Sequence, residues 1–251
     1  MATTSAQTIF SSNLRTEARL PESDGKPMAE TDLHRNVMVY IIEALEEHFR
    51  PENDVYVSGN IFMYYRDEDG ELKSVSPDVL VVKGVAKKER RIYNLEVERK
   101  APDVVFELTS PSTKMEDLGN KRFIYASLGV KEYYLFDPFG EAFRPALRGF
   151  RLENGDYLAV VGTRMYSEVL GLEIRLEEGK LLLYDRKKKE YLRSYGESEA
   201  ARRTAEAARQ TAEATQRETE AARQFAEARA SAAERELERL RAELAKLQNK
   251  T

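Results

Sequence analysis

Several features that define protein classes are missing from this chain of 251 residues. It contains no cysteine, which excludes a disulfide framework and is typical of proteins from a reducing compartment. No apolar run approaches the roughly 20 residues of a membrane span. Residues 1–12 also lack the basic flank and apolar run of a signal peptide. These absences predict a cytoplasmic protein with no membrane partner.

A strong excess of charge of either sign is missing as well. The formal net charge is −4, and it belongs to residues 1–195, which hold 33 acidic and 29 basic side chains. The chain therefore lacks the strong positive charge of an obvious polyanion-binding protein. Two basic clusters, residues 87–91 and 186–189, are either contacts for phosphate groups or solvated loops.

Glycine and proline are absent after Gly196, and this change of composition divides the chain. We predict a flexible N-terminus over residues 1–25, a folded domain over residues 26–195 and a helical coiled-coil tail over residues 196–251. The tail repeats every seven residues from Arg202, but only its last heptads carry apolar residues at both seam positions. It is either a solvated single helix or a coiled coil that joins copies of the chain, and we expect the homo-oligomer.

Hydrophobic periodicity predicts the order helix, three strands, helix, strand for the core of the domain. We therefore expect a mixed α/β (α+β) fold with added antiparallel strands in residues 148–192, where Asn154-Gly155 indicates a hairpin. The first helix is predicted over residues 30–49 with Thr31 as its cap. The second is predicted from Thr113 to about residue 128, with Thr113 and Glu116 forming a capping box.

The apolar run of residues 104–109 carries one carboxylate, Glu107, in its interior. Burying an unpaired carboxylate is costly, so this strand needs a cation, a donor or water beside it. Asp78 begins the preceding apolar strand, and the two carboxylates converge if these strands are neighbours. Lys121 follows on the next helix, where Asp117, Lys121 and Tyr125 share one face.

Two carboxylates and a nearby carbonyl suit Mg²⁺, which prefers hard oxygen ligands. Such an ion lowers the pKa of a water molecule and stabilises charge on a phosphate, and a lysine adds further positive charge there. The spacing alone leaves other interpretations open. Asp78 is equally well a turn carboxylate after Pro77, and Glu107 and Lys121 equally well form a structural ion pair.

The segments around these residues resemble the Uma-two family of nucleases, which has the restriction-endonuclease-like fold of the PD-(D/E)XK superfamily. The resemblance covers about residues 28–190, and its specific part runs from Asp103 to Pro138. It rests on Ser76-Pro77-Asp78-Val79, on residues 105–113, on the spacing of Asp117, Lys121 and Tyr125, and on residues 129–138.

The resemblance implies an endonuclease that hydrolyses phosphodiester bonds in DNA with Mg²⁺ or Mn²⁺. It assigns metal binding to Asp78 and Glu107, with the carbonyl of Leu108 completing the metal shell. The usual lysine of the superfamily lies two residues after the second acidic position, but this chain has Thr109 there. Lys121, from the next helix, is expected to replace it as the third catalytic residue.

An acidic residue on the first helix contributes in some members of the superfamily, which points here to Glu30 or Glu43. His34 and His48 lie on the same helix, where histidines are more often structural or exposed than catalytic. The displaced lysine and the acidic domain also fit a second hypothesis. In it the chain is a catalytically inactive nuclease-fold module that binds protein or nucleic acid and assembles through its tail.

Overall fold

The computed structural model describes residues 20–22, 31–160 and 162–248, with side chains described up to residue 242. Apart from residues 20–22, the N-terminus predicted to be flexible lies outside the described residues. The chain divides after Tyr195 into two units. No helix within these described ranges is both long enough and apolar enough to cross a membrane.

The first unit combines short helices with many strands. Its helices are α1 (Asp32–His48), α2 (Leu95–Glu98) and α3 (Arg122–Ser127), and a π-helical segment covers Glu116–Lys121. Its strands are β1 (Val55–Ser58), β2 (Met63–Arg66), β3 (Leu72–Val75), β4 (Val79–Lys83), β5 (Tyr93–Asn94), β6 (Val104–Leu108), β7 (Glu132–Phe136), β8 (Leu147–Glu153), β9 (Asp156–Val160), β10 (Arg164–Ser167), β11 (Leu172–Glu177), β12 (Lys180–Asp185) and β13 (Glu190–Tyr191).

A six-stranded sheet in the order β1-β4-β6-β7-β8-β9 forms the centre of this unit. Strands β6 and β7 pair in parallel, and the other neighbours pair antiparallel. Parallel strands need a crossover connection, which the π-helical segment and α3 supply. The predicted order of helix, three strands, helix and strand is confirmed as α1, then β1, β4 and β6, then this crossover, then β7.

Both faces of the central sheet are covered. One face packs with α1 and the antiparallel sheet β10-β11-β12-β13, and its cluster includes Ile41, Phe106 and Ile174. The other face packs with α3, and its cluster includes Tyr125 and Tyr133. A third sheet, β3-β2-β5, adds Met63 to that second cluster. Alternate residues of β6 therefore enter opposite cores, as the period of two in a strand requires.

The two helix starts differ in how well the sequence predicts them. The cap of α1 is confirmed, because Oγ1 of Thr31 accepts a hydrogen bond from the backbone N–H of His34 at 3.2 Å. The predicted capping box at Thr113 is wrong. The backbone N–H of Thr113 donates to Ser110, and Glu116 accepts instead from Nδ2 of Asn120 at 2.9 Å.

The second unit consists of one long helix, α4 (Tyr195–Gln248), as the sequence predicts. At about 1.5 Å per residue its length is on the order of 80 Å. Its described side chains are almost all exposed from residue 202 onward. Ion pairs between residues four apart, such as Arg209 with Glu213 at 2.8 Å and Arg223 with Glu227 at 2.9 Å, support the helix from within.

Candidate active site

Strand register brings the two predicted carboxylates together. In the antiparallel pair of β4 and β6, Val79 lies opposite Phe106. The same register places Asp78, which directly precedes β4, opposite Glu107. The contact is tight, because Oδ2 of Asp78 accepts a hydrogen bond from the backbone N–H of Leu108 at 2.6 Å. The N–H and C=O of a strand residue point to the same edge, so the carbonyl of Leu108 faces the Asp78 side as well.

Glu107 is 1% exposed, and both of its carboxylate oxygens accept hydrogen bonds. Oε1 accepts from the hydroxyl of Tyr125 at 2.7 Å, and Oε2 accepts from Nζ of Lys121 at 2.8 Å. The partners expected for a buried Glu107, a cation and a hydrogen-bond donor, therefore come from the crossover between β6 and β7. Lys121 and Tyr125 lie four residues apart there and meet the same carboxylate.

The π-helical segment adds a third carboxylate to the cluster. Asp117 is 2% exposed, and its Oδ1 lies 3.4 Å from Nζ of Lys121. A π-helical turn is wider than an α-helical one and is frequent at functional sites. Here it lets Asp117 and Lys121 approach the sheet within one segment, so one ammonium contacts two buried carboxylates.

His34 reaches the site from the first turn of α1. Its Nε2 lies 3.5 Å from Oδ2 of Asp78. Burial works to raise the pKa of Asp78, but the His34 side chain, the charge of Lys121 and the Leu108 N–H hold that pKa below its usual value. Asp78 is therefore the carboxylate of the cluster that keeps its negative charge most readily.

The other two carboxylates are shifted in the opposite direction. Burial raises the pKa of Glu107 to about 8, with a further increase from Asp78 and Asp117 against the opposing charge of Lys121. Burial also raises the pKa of Asp117, again opposed first by Lys121. The pKa of Lys121 is raised, because its three carboxylate neighbours outweigh its own burial. The lysine therefore stays protonated at neutral pH.

The donor set of this cluster fits a divalent cation. Three carboxyl groups face one ammonium, and the raised pKa values of Glu107 and Asp117 show that this one cation does not fully stabilise their charged forms. The Asp117 carboxylate is buried, and besides Lys121 its hydrogen-bonding neighbours are the uncharged side chains of Thr113 and Thr109. In the described ranges no group of three or more His, Cys, Asp or Glu side chains is arranged to hold a metal ion. Mg²⁺ does not require such a group, because it is usually held by one or two carboxylates and keeps several waters.

Other residues considered from the sequence lie elsewhere or outside the description. Glu30 lies outside the described residues. Glu43 is nine residues beyond His34 on α1, and its Oε2 accepts from the N–H of Tyr195 at 3.1 Å. Burial lowers the pKa of His48, whose charged neighbours include Asp185 rather than the site carboxylates. The structure does not bring Glu43 or His48 to Asp78 and Glu107.

An arginine of each basic cluster forms an ion pair within the unit. Nε of Arg90 lies 2.8 Å from Glu98, and its guanidinium stacks 4.2 Å from the ring centroid of Tyr56. Arg186 pairs with Glu173 in the same way. Arg90 is therefore buried in the fold and poorly available to phosphate groups, whereas the Arg186 side chain is 57% exposed.

Sequence reasoning missed the contribution of His34 and gave Asp117 no role. His34 lies 44 positions before Asp78, so only tertiary packing reveals their contact. One signal was available, because Thr31 fixes the first turn of α1 and His34 is the residue whose N–H it caps. For Asp117 the signal was its spacing of four from Lys121.

Comparison with known proteins identifies the family of this chain. A family model, Uma2, described as "Putative restriction endonuclease", matches residues 11–217. No curated protein matches the chain. The chain is similar to the crystal structure of a "putative nuclease belonging to DUF820" from Anabaena variabilis ATCC 29413, with 16% sequence identity and a TM-score of 0.43. The alignment covers 61% of this chain and 87% of the chain in that crystal structure. Because this family model matches well over half of the chain, including β4, β6 and the crossover with Lys121, the chain belongs to the Uma2 family.

Proposed function

We propose that the chain is a Mg²⁺-dependent endonuclease that hydrolyses phosphodiester bonds in DNA. The observation that carries the proposal is the buried cluster of Asp78, Glu107 and Asp117 around the single ammonium of Lys121. A structural ion pair needs one carboxylate for one ammonium, and two further buried carboxylates would only destabilise the fold. DNA as the substrate rests on the restriction endonuclease description of the family.

Asp78 and Glu107 would hold the ion, Mg²⁺ or Mn²⁺, with the Leu108 carbonyl at the same edge of the sheet. When bound, such an ion lowers the pKa of a water molecule and stabilises negative charge on a phosphate. Asp78 stays ionised because His34 and the Leu108 N–H favour its charged form. Glu107 is oriented by Tyr125, whose hydroxyl donates to Oε1 at 2.7 Å.

Lys121 would stabilise the charge that develops on the phosphate. Its raised pKa makes it a cation at neutral pH, so it acts through charge and hydrogen bonding and does not accept a proton. Asp117 also contacts the ammonium, with its Oδ1 at 3.4 Å from Nζ. The lysine thereby occupies a defined position although its side chain comes from a helix.

Cleavage of supercoiled plasmid DNA tests this function. The purified protein should nick or linearise the plasmid with Mg²⁺ or Mn²⁺ and should be inactive in EDTA. Glu107→Gln keeps the shape of the side chain but removes the charge, and we expect a loss of at least about 100-fold in rate. Glu116→Gln, an exposed carboxylate next to Asp117, is the matched control and should cleave like the wild type. Full activity of Glu107→Gln would overturn the proposal.

A second candidate is the inactive nuclease-fold module. It is favoured by the hydrogen bonds that already occupy both oxygens of Glu107 within the protein. Titration calorimetry with Mg²⁺ and Mn²⁺ separates the two functions. A nuclease binds the ion with a heat that Asp78→Asn and Glu107→Gln abolish. A module gives no such heat, or a heat that neither substitution changes.

A further inference from the structure

Helix α4 exposes large apolar side chains along a surface that its own unit leaves uncovered. Phe225 is 70% exposed, Leu237 is 50% exposed and Leu240 is 51% exposed. Exposure of each of these side chains to water is unfavourable compared with burial. A single helix cannot bury them by itself, so the position of these residues on the helix decides what covers them.

The two leucines belong to an apolar seam over residues 226–247. The seam residues alternate at spacings of four and three, which keeps one face of a helix turned toward a partner helix. No charged residue interrupts the seam, although acidic and basic residues surround it. The seam consists of Ala226, Ala230, Ala233, Leu237 and Leu240, continued in the sequence by Leu244 and Leu247.

The charges beside this seam are complementary to a second copy in one orientation. Ala230 and Leu237 occupy the a position of their heptads. In a parallel, in-register pair, the residue just before an a position faces the residue five positions later on the other helix. Arg229 then faces Glu234 of the second copy, and Glu236 faces Arg241 of the second copy. The two-fold symmetry repeats both pairs, so opposite charges meet at four places along the described part of the seam.

We propose that the α4 helices of two copies form a parallel, in-register coiled coil over residues 226–247. The leucine end drives the pairing, because it buries the largest apolar area. Two helices fit better than three or four, since Ala226, Ala230 and Ala233 are too small to fill a wider core without voids.

The seam also accounts for the arginines that strict heptads counted from Arg202 would place in the interface. Small residues continue the alternation toward the N-terminus, and one extra step of four joins the two parts at Ala222, Ala226 and Ala230. Such a stutter locally unwinds a coiled coil. With it, Arg209 and Arg223 lie beside the interface. The upstream positions are Ala205, Ala208, Ala212, Thr215, Thr219 and Ala222.

Mass measurement by light scattering on the full chain tests the pairing. The wild type should have twice the monomer mass of 28.8 kDa at micromolar concentration. Leu237→Glu combined with Leu240→Glu should give the monomer mass. Ala228→Glu combined with Ala242→Glu adds the same charge on the outer face and should leave the dimer intact. A monomeric wild type, or a dimer unaffected by the leucine substitutions, would refute the proposal.

The orientation is tested by cross-linking, which the absence of native cysteine makes simple. In the parallel register two copies of residue 233 face each other, so Ala233→Cys should form a covalent dimer under mild oxidation. Ala228→Cys, on the outer face, should stay largely uncross-linked. A non-covalent dimer in which Ala233→Cys cross-links no better than Ala228→Cys would exclude the parallel register.

Discussion

Glu107 makes the stability of the nuclease domain depend on pH. Its pKa in the folded chain is about 8, against an ordinary value of 4.5, so between these values the folded state binds more protons than the unfolded state. Stability must therefore fall as the pH rises through this window. Below pH 4.5 the carboxyl is protonated in both states and contributes no such loss.

Glu107→Gln should remove this loss. In urea titrations with EDTA, the free energy of unfolding of the wild type should fall relative to the variant by on the order of 3 kcal/mol between pH 5 and pH 8. Glu116→Gln should follow the wild type. If wild type and Glu107→Gln keep a constant difference across this range, the carboxyl does not titrate as described. Under the proposed function, Mg²⁺ added at pH 8 should stabilise the wild type far more than the variant.

Gly59 fixes the position of Asp78. A Cβ atom at residue 59 would lie 2.1 Å from the carbonyl oxygen of Asp78 and 2.7 Å from Cδ1 of Ile42. Because the first contact is with backbone, a side chain can enter only if Asp78 moves. Gly59→Ala should lower stability by about 1–3 kcal/mol and reduce plasmid cleavage beyond what the loss of folded protein explains.

The matched control for this substitution is Gly196→Ala, where an added Cβ would meet nothing within 4 Å. Helix propensity favours alanine there, so its melting temperature should equal or exceed that of the wild type. Gly59→Ala with unchanged stability and cleavage would show that the strand end can adjust without displacing Asp78.

Individual residues differ in how far the sequence predicts their place. Glu107 is predictable because a carboxylate inside an apolar run breaks the pattern, and Asp78 because it begins a similar run. The contact of His34 with Asp78 is not, since it depends on how α1 crosses the sheet. The raised pKa of Glu107 also cannot be predicted from the sequence, because it depends on burial and on charged neighbours that are distant in the chain.

At the scale of elements, the lysine that contacts Glu107 comes from the crossover between β6 and β7 and not from strand β6 itself. Thr109 lies two residues after Glu107 and so shares its side of the extended chain. It is 1% exposed, and its side chain lies beside Asp117, whose pKa it helps to lower against the effect of burial. A lysine at residue 109 would approach the same carboxylates from the strand.

This arrangement predicts a rescue. Lys121→Ala should reduce Mg²⁺-dependent cleavage by about 100-fold or more. Thr109→Lys added to Lys121→Ala should recover at least about tenfold of that loss, measured by plasmid conversion at equal amounts of folded protein. Thr109→Lys alone is the control for crowding. A double variant no better than Lys121→Ala would show that the lysine must come from the helix.

Among the elements, the sequence predicts those that local pattern determines. The stripe of α1 and the apolar runs of β4, β6 and β7 are of this kind. The two-residue strand β5 is not, because it pairs in parallel with β2 through Met63 and Tyr93, which are 30 residues apart. The π-helical segment is unpredicted as well. Its widened turn accompanies the contacts that Asp117 and Lys121 make at the sheet. Local helix propensity predicts neither the widened turn nor these contacts.

For the whole molecule, the proposed coiled coil predicts two kinds of thermal transition. A coil of two chains obeys mass action, so its melting temperature depends on protein concentration. The Uma2 domain has its own apolar clusters within one chain, and its unfolding should not depend on concentration. Circular dichroism at 222 nm reports mainly α4, since it is by far the longest helix of the described chain.

Tenfold dilution of the wild type should therefore lower the helical transition by about 5–10 °C and leave the near-ultraviolet transition of the domain's tyrosines in place. With Leu237→Glu and Leu240→Glu together, the helical signal should melt at a lower temperature that no longer depends on concentration. If both wild-type transitions shift together, the domain and the coil unfold as one unit. If neither shifts, α4 does not pair with a second copy, and the proposed coiled coil is excluded.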